Sequence, residues 1–132
     1  MDCIFCKFIK NEASCAKVWE NERFLVFLDI APINPGHVLI VPKNHNDEIF
    51  RLEDNLYSEI FQIAKKLSEP LKKATEAKRI GMVIEGFGVD HSHLHLIPLH
   101  NSHELLTGRA KKASEEELKE MQLKLVEAFK TI

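Results

Sequence analysis

The segment Asp90-His91-Ser92-His93-Leu94-His95-Leu96-Ile97-Pro98 concentrates titratable side chains. Four of the chain's seven histidines lie between residues 91 and 100. A strand alternates faces with a period of two, so His91, His93 and His95 are expected to share one face. Ser92, Leu94 and Leu96 are expected on the other, with the two leucines anchoring it in a core. Same-face side chains then stand about 6.5–7 Å apart. Three imidazoles at that spacing can serve one polyanionic ligand along its length, or supply metal ligands. A merely polar sheet face is the plain alternative, but histidine is not a preferred strand former.

Two chemistries suit such a row. Neutral imidazole attacks phosphorus and leaves again, splitting one displacement into two steps. Its pKa near 6.5 also lets neighbouring rings donate protons at neutral pH. Imidazole is equally the commonest metal ligand. A catalytic metal cluster would add carboxylates, and only Glu85 and Asp90 are near in sequence. The nucleophile reading therefore suits the row as a whole. Elsewhere, Cys3-x-x-Cys6 alone could be redox, metal-binding or coincidental. Cys15 has no partner at useful spacing and reads as a buried or idle thiol. His45 alone reads as a solvated loop residue, and His100 and His103, past Pro98, as surface residues.

The elements that must hold these residues follow from pattern. Residues 3–10 suit a short helix. Val18-Trp19 and residues 23–29 flank a polar turn and read as a hairpin. Pro32, Asn34, Pro35 and Gly36 mark a loop. His37–Val41 is a β-branched run closed by Pro42, hence a strand. From about Asp54, Leu56, Ile60, Ile63, Leu67 and Leu71 form a helical stripe, and Pro70 should kink or shorten the last turn. Residues 80–85 and 91–97 read as further strands, the latter ended by Pro98. Residues 99–113 are irregular. Ser114-Glu-Glu-Glu117 is a capping box opening a helix whose apolar face is Leu118, Met121, Leu125 and Phe129. About five strands and two main helices without βαβ alternation imply an α+β fold with an antiparallel sheet, in one domain over 1–132.

Composition narrows the function. The 132 residues are 45% hydrophobic and 29% charged, a soluble globular balance. The formal charge of −2 argues against wholesale nucleic-acid binding, so no stable nucleic-acid complex is expected. No apolar run approaches the ~20 residues of a membrane helix. The first eleven residues are too short and too charged for a signal peptide. Three cysteines, an odd number, make a disulfide framework improbable and a reducing cytoplasm the default.

With these residues in view, the sequence resembles the histidine triad (HIT) family of nucleotide hydrolases and transferases. The signature is His91-Ser-His93-Leu-His95-Leu-Ile97, with Ser92 departing from an apolar position. Phe27-Leu-Asp29-Ile-Ala-Pro-Ile-Asn-Pro-Gly-His37-Val-Leu-Ile-Val-Pro42 is similar to the family's second landmark. Cys3-Ile-Phe-Cys6-Lys is similar to the N-terminal landmark of its zinc-carrying, bacterial-type branch. The resemblance implies a HIT-like fold and a homodimer. It implies that His93 is the nucleophile, attacking the α-phosphorus of a nucleotide ester, amide or anhydride to give a nucleotidyl-histidine. His95 would contact phosphate oxygens and the leaving group, and His37 would support the triad. Asp29 would accept the ribose hydroxyls, and Phe5, Phe8, Ile30 and Leu39 would line the base pocket, where each could otherwise be ordinary core. Cys3, Cys6, His45 and His91 would hold a structural zinc ion, a ligand set that suits tetrahedral coordination.

The sequence departs from the family in the short link Glu85-Gly-Phe-Gly-Val-Asp90. Glu85 falls near the usual Asn, and Gly88 near the usual Ser or Thr. Backbone N–H groups of Gly86–Gly88 could replace them as an anion nest, or the segment could be a plain glycine turn. The expected function is a purine nucleotide phosphoramidase or related nucleotidyl hydrolase. The alternatives are a dinucleoside polyphosphate hydrolase and a non-catalytic nucleotide- or metal-binding regulatory protein.

Overall fold

A computed structural model describes residues 3–132. Five strands form one antiparallel sheet in the order β1-β2-β3-β5-β4: β1 (Lys17–Glu20), β2 (Phe24–Leu28), β3 (Val38–Pro42), β4 (Arg79–Val83) and β5 (Leu94–Leu99). Three α-helices accompany it: α1 (Ile4–Ile9), α2 (Asp54–Thr75) and α3 (Glu115–Ala128). The α+β, antiparallel expectation holds, with a five-stranded sheet and the two long helices as read from the sequence.

Alternation along β2, β3 and β5 divides the sheet into two faces. Phe24, Val26, Leu28, Val38, Ile40, Leu94 and Leu96 meet the α2 stripe of Leu56, Ile60, Ile63, Leu67 and Leu71, together with Leu125 and Phe129 from the C-terminal segment. Leu25, Phe27, Leu39 and Val41 point the other way and are covered by Phe5 and Phe8 of α1. This second face carries His95, because His95 pairs with Leu39. The Ser114 hydroxyl accepts the Glu117 N–H while the Glu117 carboxylate accepts the Ser114 N–H, so the expected capping box opens α3.

Three local expectations need correction. Pro70 does not shorten α2, which continues past it to Thr75. Its missing N–H costs one bond to the Lys66 carbonyl, but Leu67 and Leu71 are both fully buried and hold the helix on the sheet across that point. Pro98 does not end β5 either, but sits within it opposite Ile80. Strand β3 pairs only with Leu94–Leu96, so at Pro98 the strand has a neighbour on one side alone, where proline is tolerated. Finally, β5 starts at Leu94. His91, Ser92 and His93 lie outside the sheet, and the three histidines do not form one regular strand row.

Gly36 makes the tight entry to β3 just before His37. Its φ is +92°, and a Cβ there would lie 2.6 Å from Thr75 Cγ2 and 3.1 Å from Pro98 Cγ. Backbone strain and overlap therefore act together. Gly36→Ala is expected to cost about 1–3 kcal/mol, read as a lower urea midpoint at unchanged slope. An unchanged midpoint would show that the loop relaxes freely.

Candidate active site and metal centre

The site lies where β5, the end of β3, the loop before it and α1 converge on the second face of the sheet. A neutral imidazole has one N–H and one lone pair, so the partner of one nitrogen decides what the other can do. Here backbone groups make that choice. His93 Nδ1 lies 2.7 Å from the His91 carbonyl, which only accepts, so Nδ1 carries the proton and Nε2 keeps its lone pair. His91 Nε2 lies 2.7 Å from the Pro42 carbonyl, so Nε2 is the donor and Nδ1 is the free base. The Ile33 N–H donates to His37 Nδ1 at 3.0 Å, leaving the proton on Nε2. His37 Nε2 then donates to His95 Nδ1 at 2.8 Å, which puts the His95 proton on Nε2.

The triad thus divides. His93 and His95 stay together, with ring centroids 5.1 Å apart. His91 turns away into a second cluster, although Phe5 touches the edges of both His91 and His93 at 5.8 and 5.4 Å. His91 is fully buried and His93 nearly so. Burial lowers the pKa of His91, and the nearby His45 and His93 lower it further while its bond to Pro42 opposes them. Burial lowers that of His37 as well, against the opposing pull of the Asp29 carboxylate. Asp29 Oδ2 stands 3.6 Å from His37 Nε2 and 4.0 Å from His95 Nδ1. Its Oδ1 accepts the Ala31 N–H, which fixes the carboxylate.

A cavity of about 400 Å³ opens beside His93 and His95. Phe5, Phe8, Leu39, Asp29 and Ile30 line it, as the base-pocket expectation requires, although Leu39 is buried at its floor and Ile30 is 62% exposed at its mouth. Phe27, Leu28, Cys15, Glu85, Phe87 and Val89 also line it, and the sequence pattern assigns none of the six to a pocket. Cys15 is half-buried here, and desolvation pushes its thiol up to about 11, so it is an inert wall group. His37 and its loop are held from behind by Asn34, whose amide donates to the Pro98 carbonyl and to Glu104. Arg109 donates to Asn34 Oδ1. Glu104 also accepts the backbone N–H groups of His100 and Asn101, which hold its carboxyl down at about 2. Nothing in the sequence pattern marked this network. His103 is exposed, as expected, whereas His100 is half-buried beside it.

The second cluster joins Cys3, Cys6, His45 and His91, whose donor atoms all lie within 4.8 Å of one another. Helix α1 presents the thiols: Cys3 is its N-cap and Cys6 lies in its first turn. His91 Nδ1 is 3.4 Å from Cys3 Sγ, 3.6 Å from Cys6 Sγ and 3.2 Å from His45 Nδ1, and Cys6 Sγ is 3.3 Å from His45 Nδ1. Tetrahedral zinc with its usual bond lengths requires ligand separations of about 3.3–3.8 Å. The donor set and its spacing fit such an ion. Burial, reinforced by Cys3, raises the Cys6 thiol, a cost that a dication would reverse.

Burial, then His37 and His93, push His95 down to about 3. The unfolded chain binds this proton below about 6.5, so protons favour unfolding between the two values. The stability held by neutral His95 is therefore complete above about pH 6.5 and lost progressively as pH falls toward 3. His95→Asn keeps an acceptor for His37 and removes the titration. Its urea midpoint should fall less steeply than wild type between about pH 7 and 4; parallel slopes would mean that His95 is not held neutral by burial.

Residues 10–102 match the HIT domain, a stretch containing all five strands and every histidine of the two clusters. The chain is 37% identical over 103 residues to the adenosine 5'-monophosphoramidase of Schizosaccharomyces pombe, covering 76% of this chain and 77% of that one. It is 40% identical over 105 residues to the adenosine 5'-monophosphoramidase of Candida albicans, covering 73% and 69%. A solved Hit-like protein from Bartonella henselae, described as involved in cell-cycle regulation, superposes with a TM-score of 0.85 at 26% identity, covering 97% of each chain. On the strength of the matched domain and these relatives, the chain belongs to the HIT domain family.

Proposed function

We propose that this protein is a nucleotidyl hydrolase of the HIT type. It cleaves a phosphoramidate, ester or anhydride bond at the α-phosphate of a purine nucleotide, with His93 as nucleophile. The observation that carries this reading is the 2.7 Å bond from His93 Nδ1 to the His91 carbonyl, which leaves Nε2 as a lone pair beside the cavity. The names of the two yeast relatives support the substrate class. The nucleoside lies against Phe5, Phe8, Ile30 and Leu39, and Asp29 Oδ2 accepts the ribose hydroxyls.

For an amide substrate, His93 Nε2 attacks phosphorus and the P–N bond breaks with its electron pair leaving on nitrogen. His95, whose Nε2 carries its proton, donates that N–H to a phosphate oxygen as charge shifts onto it. The departing nitrogen takes up a proton from water and leaves as the amine. Water then attacks phosphorus and releases a proton to solvent, and the P–Nε2 bond breaks with its pair going back to His93. The ring of His93 is cationic in between, which strengthens its bond to the His91 carbonyl when it is needed. His93→Ala should lower kcat by at least about a thousandfold while nucleotide binding stays within about tenfold. A variant keeping more than about a tenth of wild-type kcat would remove His93 from this role.

The four-residue cluster is assigned to one structural zinc ion, which ties α1 to the segment before β5. A metal held there would, through His91, fix the peptide whose carbonyl orients His93. A reducing compartment, the cytoplasm, suits two thiolate ligands. Chelation should lower the melting temperature, Cys3→Ser should do the same, and protein purified without chelator should contain about one zinc per chain. Metal-free protein melting identically with and without chelator would contradict the assignment.

We also assign a homodimer. Helix α3 covers β1 at one edge of the sheet, while β4 at the other edge is only half-buried and exposes Met82. An open edge of this kind invites pairing with a second copy. No nucleic-acid or membrane partner is assigned; among the described residues no helix is long and apolar enough to cross a membrane.

A further inference from the structure

Among the described residues, the cavity beside His93 and His95 is lined by no lysine and no arginine, and its carboxylates are Asp29 and Glu85. Asp29 lies beside His37 at the nucleoside end. Glu85 stands elsewhere. Strand β4 pairs with β5 so that Val83 faces His95. Directly opposed residues of an antiparallel pair share a face, and so do residues two apart in one strand. Glu85 follows the end of β4 by two residues, His93 immediately precedes β5, and both line the cavity. None of the ion pairs among the described residues uses Glu85. Phe87, 78% exposed, adds apolar surface two residues further on.

We propose that Glu85 determines leaving-group specificity, selecting amines that carry a further positive charge and rejecting polyphosphates. The inference rests on the hydrolase reading above and deepens it. A nucleotide bound with its α-phosphate at His93 must send its leaving group out along the same wall. A diphosphate or nucleotide leaving group brings several further negative charges to a carboxylate with no cation to offset them. An aminoalkyl group does the opposite: its chain lies on Phe87 and its ammonium meets Glu85. The bond cleaved and the proton transfers are those already given; Glu85 accepts no proton and touches only the departing group. Because Glu85 is exposed, the selection is electrostatic, modest and sensitive to salt.

The test uses four adenosine 5'-phosphate derivatives: the amide of a diaminoalkane, of a plain alkylamine, of an aminoalkanoic acid of equal chain length, and a dinucleoside triphosphate. At low salt, kcat/KM should fall in that order, by about tenfold between the cationic and neutral amides, and the gap should narrow with added salt. Glu85→Gln should bring the cationic-to-neutral ratio close to one, and Glu85→Lys should favour the anionic substrates. Turnover with the same ranking in wild type and both variants overturns the role of Glu85 and leaves the hydrolase reading standing. Release of no AMP from any of the four by wild type overturns both.

Discussion

A neutral imidazole cannot offer two lone pairs or two protons, and this limit organises the site. Each of four histidines has one nitrogen committed to a fixed partner, and three of those partners are main-chain groups: the Pro42 carbonyl, the His91 carbonyl and the Ile33 amide. The fourth, His95, takes its orientation from His37. Main-chain groups do not titrate, so the tautomers follow from the path of the backbone. His91 thereby becomes a base facing two thiols, His93 a base facing the cavity, and His95 a donor. Two residues of separation turn one side-chain type to different uses.

The fold serves this arrangement at its margins rather than in its regular parts. Leu94 and Leu96 are buried against α2 and lock β5, which places His95. The chain leaves the sheet before Leu94, and that departure lets His93 bond back to the His91 carbonyl, a contact unavailable to residues i and i+2 of a paired strand. Gly36 and the Asn34–Glu104–Arg109 network do the same for the loop that brings Ile33 to His37. Zinc bound to His91 would stiffen the carbonyl on which the proposed nucleophile depends, so a structural ion and the chemistry meet at one residue.

The sheet, α2 and α3 were legible because apolar residues recur with the helical period from Leu56 to Leu71 and run unbroken from Phe24 to Leu28, a strand buried on both faces. The gathering of Cys3, Cys6, His45 and His91 was reached through family resemblance, since His45 and the cysteines carry no decisive local pattern. What periodicity could not see was the main chain. It extended β5 back to His91 and put three histidines on one face, because spacing encodes side-chain direction and not a carbonyl that accepts from a ring nitrogen two residues on. It also overweighted proline at Pro70 and Pro98, where burial and a one-sided strand outweigh the missing N–H. Glu85, Phe87 and Cys15 reach the cavity only through tertiary placement.

The account turns on which nitrogen of His93 is free. Rapid acid-free quenching during turnover of an adenosine phosphoramidate, followed by peptide mapping and NMR of the phosphorus–nitrogen linkage, measures this directly. The account predicts one adenylyl group on His93, bonded through Nε2. An adduct through Nδ1, or one carried by His91 or His95, would contradict it.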